Sequence, residues 1–394
     1  MFEYIIILKK ICGDEKMLAI INATIVMPDH YIPNGTILID NEKISDFGKN
    51  IKIPDGAQII DAKNNFVGPG LIDIHTHADG DTYFHEDPVK CSKTLIDHGV
   101  TSVLPALFYS MNKQEHLDAV KKIKDAINKG KGKNILGLYM EGPYLNPDFG
   151  CDKEKNVWKD AVVRSDYEEI IEATKDFAKI WCVAPEREGI LDFVKDVKKV
   201  NPDMVFSVAH SEATPEQIES LMPYGLKLGT HHINATGTLE NYPEVRGVCV
   251  DETVNYNDGI YAELICDSMG VHVHPYMLRL VKKIKGNDKI ILISDAFVAD
   301  GPPIPGLEEA FDINFDWGGD IAGSKLTLDI ACRNMMVHTG SSICDVFKFA
   351  SLNPSKLLNL PELGQIRKGN LGNLIIVDQW FNVKNTIIKG EILK

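Results

Sequence analysis

The chain has 394 residues, 42 Lys+Arg against 56 Asp+Glu, a formal net charge of −14 and 44% hydrophobic residues. This composition is ordinary for a folded enzyme and excludes disordered and fibrous classes, while the acidic balance leaves no basic surplus for a nucleic-acid backbone. The length admits two or three domains, or one large α/β barrel with an attachment; a small anionic substrate would need a local basic pocket.

Residues 1–16 read as an extension ahead of the fold. Their apolar run, 4–8, is too short for a signal core or a membrane span. Eight scattered cysteines with no Cys-x-x-Cys pair predict buried free thiols and a reducing, cytoplasmic setting. From Met17 to about residue 66 the pattern is β-rich, with strands expected over 18–27, 35–40 and 43–47. The C-terminal end, 365–394, repeats that texture. Neither piece has enough apolar faces to stand alone, so the two are expected to pair into one small β-sandwich enclosing a central domain over 67–364.

The middle alternates strand and helix. Eight apolar runs, at 71–77, 101–107, 135–141, 180–186, 204–210, 226–232, 261–267 and 290–295, alternate for the most part with helical patterns. Ile190, Leu191, Val194 and Val197 form one helical stripe. Thr214-Pro215-Glu216-Gln217 is a capping box with proline at the first helical position. Eight such units predict an α/β fold of the (β/α)8 TIM-barrel type. An open doubly wound sheet is the alternative, but no Gly-x-Gly-x-x-Gly follows the first strand.

In a barrel the chemistry gathers where strands end. The first run closes on His75-Thr76-His77, whose side chains at i and i+2 face the same way and can reach one ion. The third closes on Glu141, the fifth on His210, the sixth on His231 and His232, and the eighth on Asp295, while His272 and His274 follow the seventh. Seven of twelve histidines therefore fall at or just beyond strand ends. Taken singly, each has a structural explanation: a core histidine, a helix-capping aspartate, a turn glutamate. Their recurrence at one end of the barrel favours a metal centre. Imidazole and carboxylate without thiolate suit Zn2+ or another first-row divalent ion.

These segments resemble the amidohydrolase superfamily and, within it, the N-acetylglucosamine-6-phosphate deacetylases. The resemblance runs over the chain after Met17. It is carried by Gly68-Pro-Gly-Leu-Ile-Asp-Ile-His-Thr-His77, Met140-Glu-Gly-Pro-Tyr144, Ala209-His-Ser-Glu-Ala-Thr214, Thr230-His-His-Ile-Asn-Ala235, Gly270-Val-His-Val-His-Pro275 and Ser294-Asp-Ala-Phe-Val-Ala-Asp-Gly301. It implies Glu141, His210 and His231 as ligands of the main metal, with His75 and His77 available for a second. Zn2+ comes first, with Fe2+, Co2+ or Mn2+ as alternatives, in one or two ions. It further implies Asp295 as the catalytic carboxylate and His272 as the group polarising the acetyl carbonyl. Asn234 and Ala235 become substrate contacts, and the small-molecule substrate becomes an N-acetyl amino sugar bound by a homodimer, with neither nucleic acid nor membrane as partner. Two departures fall at the phosphate end. Gly150-Cys151-Asp152 stands where the family carries a small residue and a histidine, and the first arginine after Asn234-Ala235 is Arg246, displaced from the family's position. Arg246, Lys153 or Lys155 are candidates to meet a phosphate or are solvated surface charges. A different epimer, an unphosphorylated sugar, another small amide and a non-catalytic scaffold remain the alternatives.

Overall fold

The computed structural model describes residues 17–394 apart from 152, 238–241, 243 and 246. The expected extension 1–16 lies outside the described residues, as do Asp152 and Arg246.

Eight parallel strands form one sheet in chain order: Leu71–Thr76, Val100–Phe108, Leu138–Glu141, Ala178–Val183, Val205–Val208, Leu226–Gly229, Tyr261–Ile265 and Ile290–Ile293. The first and eighth meet through Asp295 N–H to His75 C=O at 2.9 Å and His77 N–H to Ala296 C=O at 2.9 Å, which closes the barrel. Six of the eight end before the apolar runs that predict them. Those runs continue past the last ladder bond, and His77, His210, His231 and Asp295 stand on that overhang, while His75 and Glu141 stand at the ends of their strands.

The intervening helices bury one face each against the sheet. Lys113–Asn128 is fixed at its start by Asn112, which accepts from Glu115 N–H while the Glu115 carboxylate accepts from Asn112 N–H. The box expected at Thr214 is present in the same reciprocal form with Gln217. In Ile190–Val200 the buried stripe is Ile190, Phe193, Val194 and Val197. Leu191 faces outward, because Phe193 occupies the turn that the apolar pattern assigns to it.

The chain ends build a second sheet of eight strands, five from the N-terminal segment up to its join with the barrel and three from the C-terminal segment. Met17–Val26 pairs with Tyr31–Asp40 on one side. On the other it pairs first with Gln58–Asp61, then with Phe66–Pro69. The C-terminal Leu374–Val377 lies between Phe66–Pro69 and Val383–Ile388. Alternation divides its side chains between two cores: Leu374 and Ile376 pack with Leu18, Ile20, Ile37 and Ile39, whereas Ile375 and Val377 join the barrel core beside Phe347 and Phe381. Phe66–Pro69 spans the expected division at residue 66, and its close approach to the barrel needs Gly68, where a Cβ would meet the Phe347 ring at 2.3 Å. Cys91, Cys182, Cys249, Cys266, Cys332 and Cys344 are free and buried, and Cys151 is exposed. Among the described residues, no helix is long and apolar enough to cross a membrane.

Candidate metal centre and active site

The overhangs turn their side chains inward by leaving strand geometry. His210, His231 and Asp295 have φ of 43°, 27° and 47°, and Ile233, Ala235 and Tyr144 nearby lie at 72°, 52° and 77°. Such backbone is uncommon outside glycine and is a true outlier for a β-branched residue such as Ile233. Local strain of this kind persists only where surrounding contacts hold it. Here they do: the Glu186 carboxylate accepts from Asn146 Nδ2, Ser211 Oγ and Glu212 N–H at 2.7–2.9 Å, fastening the turn after His210 to the loop after Glu141.

Two groups result. In the first, Glu141 Oε1 lies 3.0 Å from His210 Nε2 and 3.3 Å from His231 Nε2, and the two Nε2 atoms are 3.1 Å apart. Ligand atoms about 2.0–2.1 Å from one tetrahedral ion sit about 3.3 Å from each other. This near-equilateral triangle of one oxygen and two nitrogens fits that spacing. In the second, Asp295 Oδ1 is 3.5 Å from His75 Nε2 and 3.3 Å from His77 Nε2. Glu141 joins them, its Oε2 lying 3.1 Å from His77 Nε2. All six side chains are buried. Burial by itself would raise the Glu141 and Asp295 carboxyls. The surrounding imidazoles, His210 and His231 foremost at Glu141 and His75 at Asp295, instead hold both well below the usual range. Burial keeps His210 below an ordinary histidine, in the neutral form that ligates metal. Two buried anions ringed by four Nε2 atoms call for positive charge between them, and a divalent ion fits the donor set.

Above the groups opens a cavity of about 260 Å3, lined among others by Asn234, Ala235, His272, Phe108, Tyr109, Cys151, Phe297 and Ile321. His272 reaches it from the loop after the seventh strand. Its Nδ1 lies 3.1 Å from Asp267 Oδ2, and its Nε2 is 3.2 Å from Gly323 C=O. Asp267 also accepts from Val271 and His272 N–H. Despite partial burial, these donors pull its carboxyl down to about 2. Nine of the ten expected site residues thus converge on one pocket, or on its floor in the case of His75. The tenth, Arg246, lies outside the described residues. His232 turns away to Asn255, and His274 caps the helix Pro275–Lys285, so neither enters the site. Lys153 and Lys155 lie on a short exposed 3-10 turn. Among the described residues that line the cavity there is no lysine or arginine.

Sequence reasoning passes over two carboxylates. Asp267 is visible only as a strand-end residue, and its service to His272 is a matter of loop geometry. Glu263, fully buried in the seventh strand, contacts His75, Tyr139 and the His231 backbone. Its one signal is a lone charge inside the apolar run Tyr261-Ala-Glu263-Leu-Ile265.

Comparison with known proteins agrees with this geometry. A family model described as "Amidohydrolase family" matches residues 66–393. The N-acetylglucosamine-6-phosphate deacetylase of Haemophilus influenzae is 27% identical over 95% of this chain and 98% of its own. The N-acetylgalactosamine-6-phosphate deacetylase of Escherichia coli O157:H7 is also 27% identical, over 82% of this chain and 86% of its own. Among solved structures, the N-acetylglucosamine-6-phosphate deacetylase of Pasteurella multocida superposes with a TM-score of 0.81 at 25% identity, covering 95% of this chain and 99% of that one.

Proposed function

The chain belongs to the amidohydrolase family, and we propose that within it the protein removes the acetyl group from an N-acetyl amino sugar phosphate, N-acetylglucosamine 6-phosphate first. One observation carries this reading: the triangle of Glu141, His210 and His231 shares a pocket with Asp295 and His272.

Glu141, His210 and His231 would hold the main ion, with Zn2+ the best match to the donor set. A divalent ion bound there supplies polarisation of the amide carbonyl and of a water. Asp295 stands as an anion at the pocket floor, placed to take a proton from the water that attacks the amide carbon. The same carboxyl then returns that proton to the departing nitrogen, since an amine expelled unprotonated is a poor leaving group. His272, steadied at Nδ1 by Asp267, has Nε2 free to exchange its Gly323 contact for the developing oxyanion. Asn234 and Ala235 hold the sugar. The free thiols support a reducing cytoplasm as its setting.

The cavity lining favours one variation on this reading. With no lysine or arginine among its described residues, a phosphate would have to be met by Arg246 or by a second subunit, as in the homodimer the resemblance implies. The test is acetate release from N-acetylglucosamine 6-phosphate, N-acetylgalactosamine 6-phosphate and unphosphorylated N-acetylglucosamine, with and without chelator. The proposal expects the highest kcat/KM for the first and loss of all turnover on chelation, restored by Zn2+. Equal kcat/KM with and without phosphate would move the substrate to an unphosphorylated sugar, and acetate release unaffected by chelation would remove the metal from the reading.

A further inference from the structure

Glu263 occupies the seventh barrel strand two residues before Ile265, which lines the cavity, so its side chain enters the same barrel interior one step deeper. A fully buried carboxylate in a parallel strand is costly unless its partners compensate. One oxygen, Oε2, takes three of them: His75 Nδ1, the Tyr139 hydroxyl and the backbone N–H of His231, each at 3.2 Å. The backbone N–H can only donate, so Oε2 is the acceptor at this point. The His75 ring therefore carries a proton on Nδ1, which leaves Nε2 as the nitrogen that can face a ligand. That Nε2 is buried and has no hydrogen-bond partner. Its charged neighbours are carboxylate oxygens, Asp295 Oδ1 at 3.5 Å and Glu141 Oε1 at 3.8 Å. Two carboxylates around that nitrogen call for positive charge among them, which a proton supplies in the empty site and a divalent ion in the loaded one, and His77 Nε2 borders the same space.

We propose that Glu263 is a positioning residue that makes His75 a ligand, by fixing its Nδ1–H tautomer, and so secures a second divalent ion among His75, His77 and Asp295. The same carboxylate braces the first group, because its bond to His231 N–H anchors the turn whose left-handed backbone aims the His231 ring. Carboxylates that accept from the far nitrogen of a ligating histidine are worth about 10–100-fold in metal affinity. This inference rests on the metal-dependent reading above and not on the identity of the sugar.

The test is metal content, read by mass spectrometry after loading with Zn2+ and desalting, together with Zn2+ titration. Wild type should hold two ions per chain and His75→Asn one. Glu263→Gln should retain the first ion and bind the second about 10–100-fold more weakly. Adding Glu263→Gln to His75→Asn should leave the remaining first ion in place, since the effect on the second ion runs through the ring already removed and the glutamine oxygen can still accept from His231 N–H. Should Glu263→Gln fail to fold by circular dichroism, a histidine 15N–1H spectrum of wild type, with His75 assigned by its loss in His75→Asn, reads the tautomer directly. Nδ1–H supports the proposal. One ion per wild-type chain, wild-type Zn2+ affinity in Glu263→Gln, or an Nε2–H tautomer at His75 would each overturn it while leaving the deacetylase reading intact. That reading fails separately if chains holding two ions release no acetate.

Discussion

The accessory sheet and the rim of the barrel both rely on left-handed backbone, for opposite reasons. In the accessory sheet and its turns it falls largely on Asn22, Asn34, Asn41, Asn50 and Asn64, a residue type that tolerates φ > 0 and closes tight turns. At the rim it falls on His210, His231, Asp295, Ile233 and Tyr144, chosen for their side chains and not for their turn chemistry. Where the backbone only has to reverse, the sequence takes the residue that costs least. Where a ligand must be aimed, the backbone accepts strain and neighbouring bonds such as those of Glu186 and Glu263 hold it.

This contrast can be broken most sharply at Asp295. Asp295→Asn preserves shape while removing the proton carrier, so kcat for acetate release should fall by about 10^2–10^4-fold with an unchanged circular dichroism spectrum. Turnover close to wild type would take Asp295 out of the chemistry. A smaller effect is expected one shell out, at Asp267. Its carboxyl is depressed to about 2 in the folded protein, below the unfolded value near 3.9. Its stabilising contribution is therefore full above about pH 4 and is lost as pH falls through about 2. Thermal melts of Asp267→Asn should show a shallower decline between those limits than wild type; parallel curves would mean that His272 is held in some other way. The smallest effect belongs to the accessory sheet. Asn41→Val forces a β-branched residue into φ of 53° and should cost about 1 kcal/mol in denaturant unfolding, with kcat unchanged. A fall in kcat would show that the two regions are coupled in a way the contrast denies.

Much of the barrel is legible in the sequence, because parallel strands covered on both faces appear as continuous apolar runs. The ligands are legible for a related reason: each stands at or near the C-terminal end of such a run. The ladder's end within each run is not legible, since His210 and Asp295 continue an extended-looking pattern while their backbones have already turned. Gln58–Asp61 and Ile313–Phe315 with Ile321–Ser324 escape sequence reading. They are short, and their pairing partners, not their own alternation, make them strands. Glu263 escapes too, because a buried charge is explained by what surrounds it in space: His75 is 188 residues away along the chain.

The placement of Leu374–Val377 beside Phe66–Pro69 has a consequence for how the molecule comes into being. During synthesis the whole barrel leaves the ribosome before the strand that completes the accessory sheet. Until residue 377 emerges, Phe66–Pro69 presents an open hydrogen-bonding edge, and the barrel-facing positions of Ile375 and Val377 stay unfilled. A chain without Leu374–Val377 would therefore carry an open strand edge beside a gap in its barrel core.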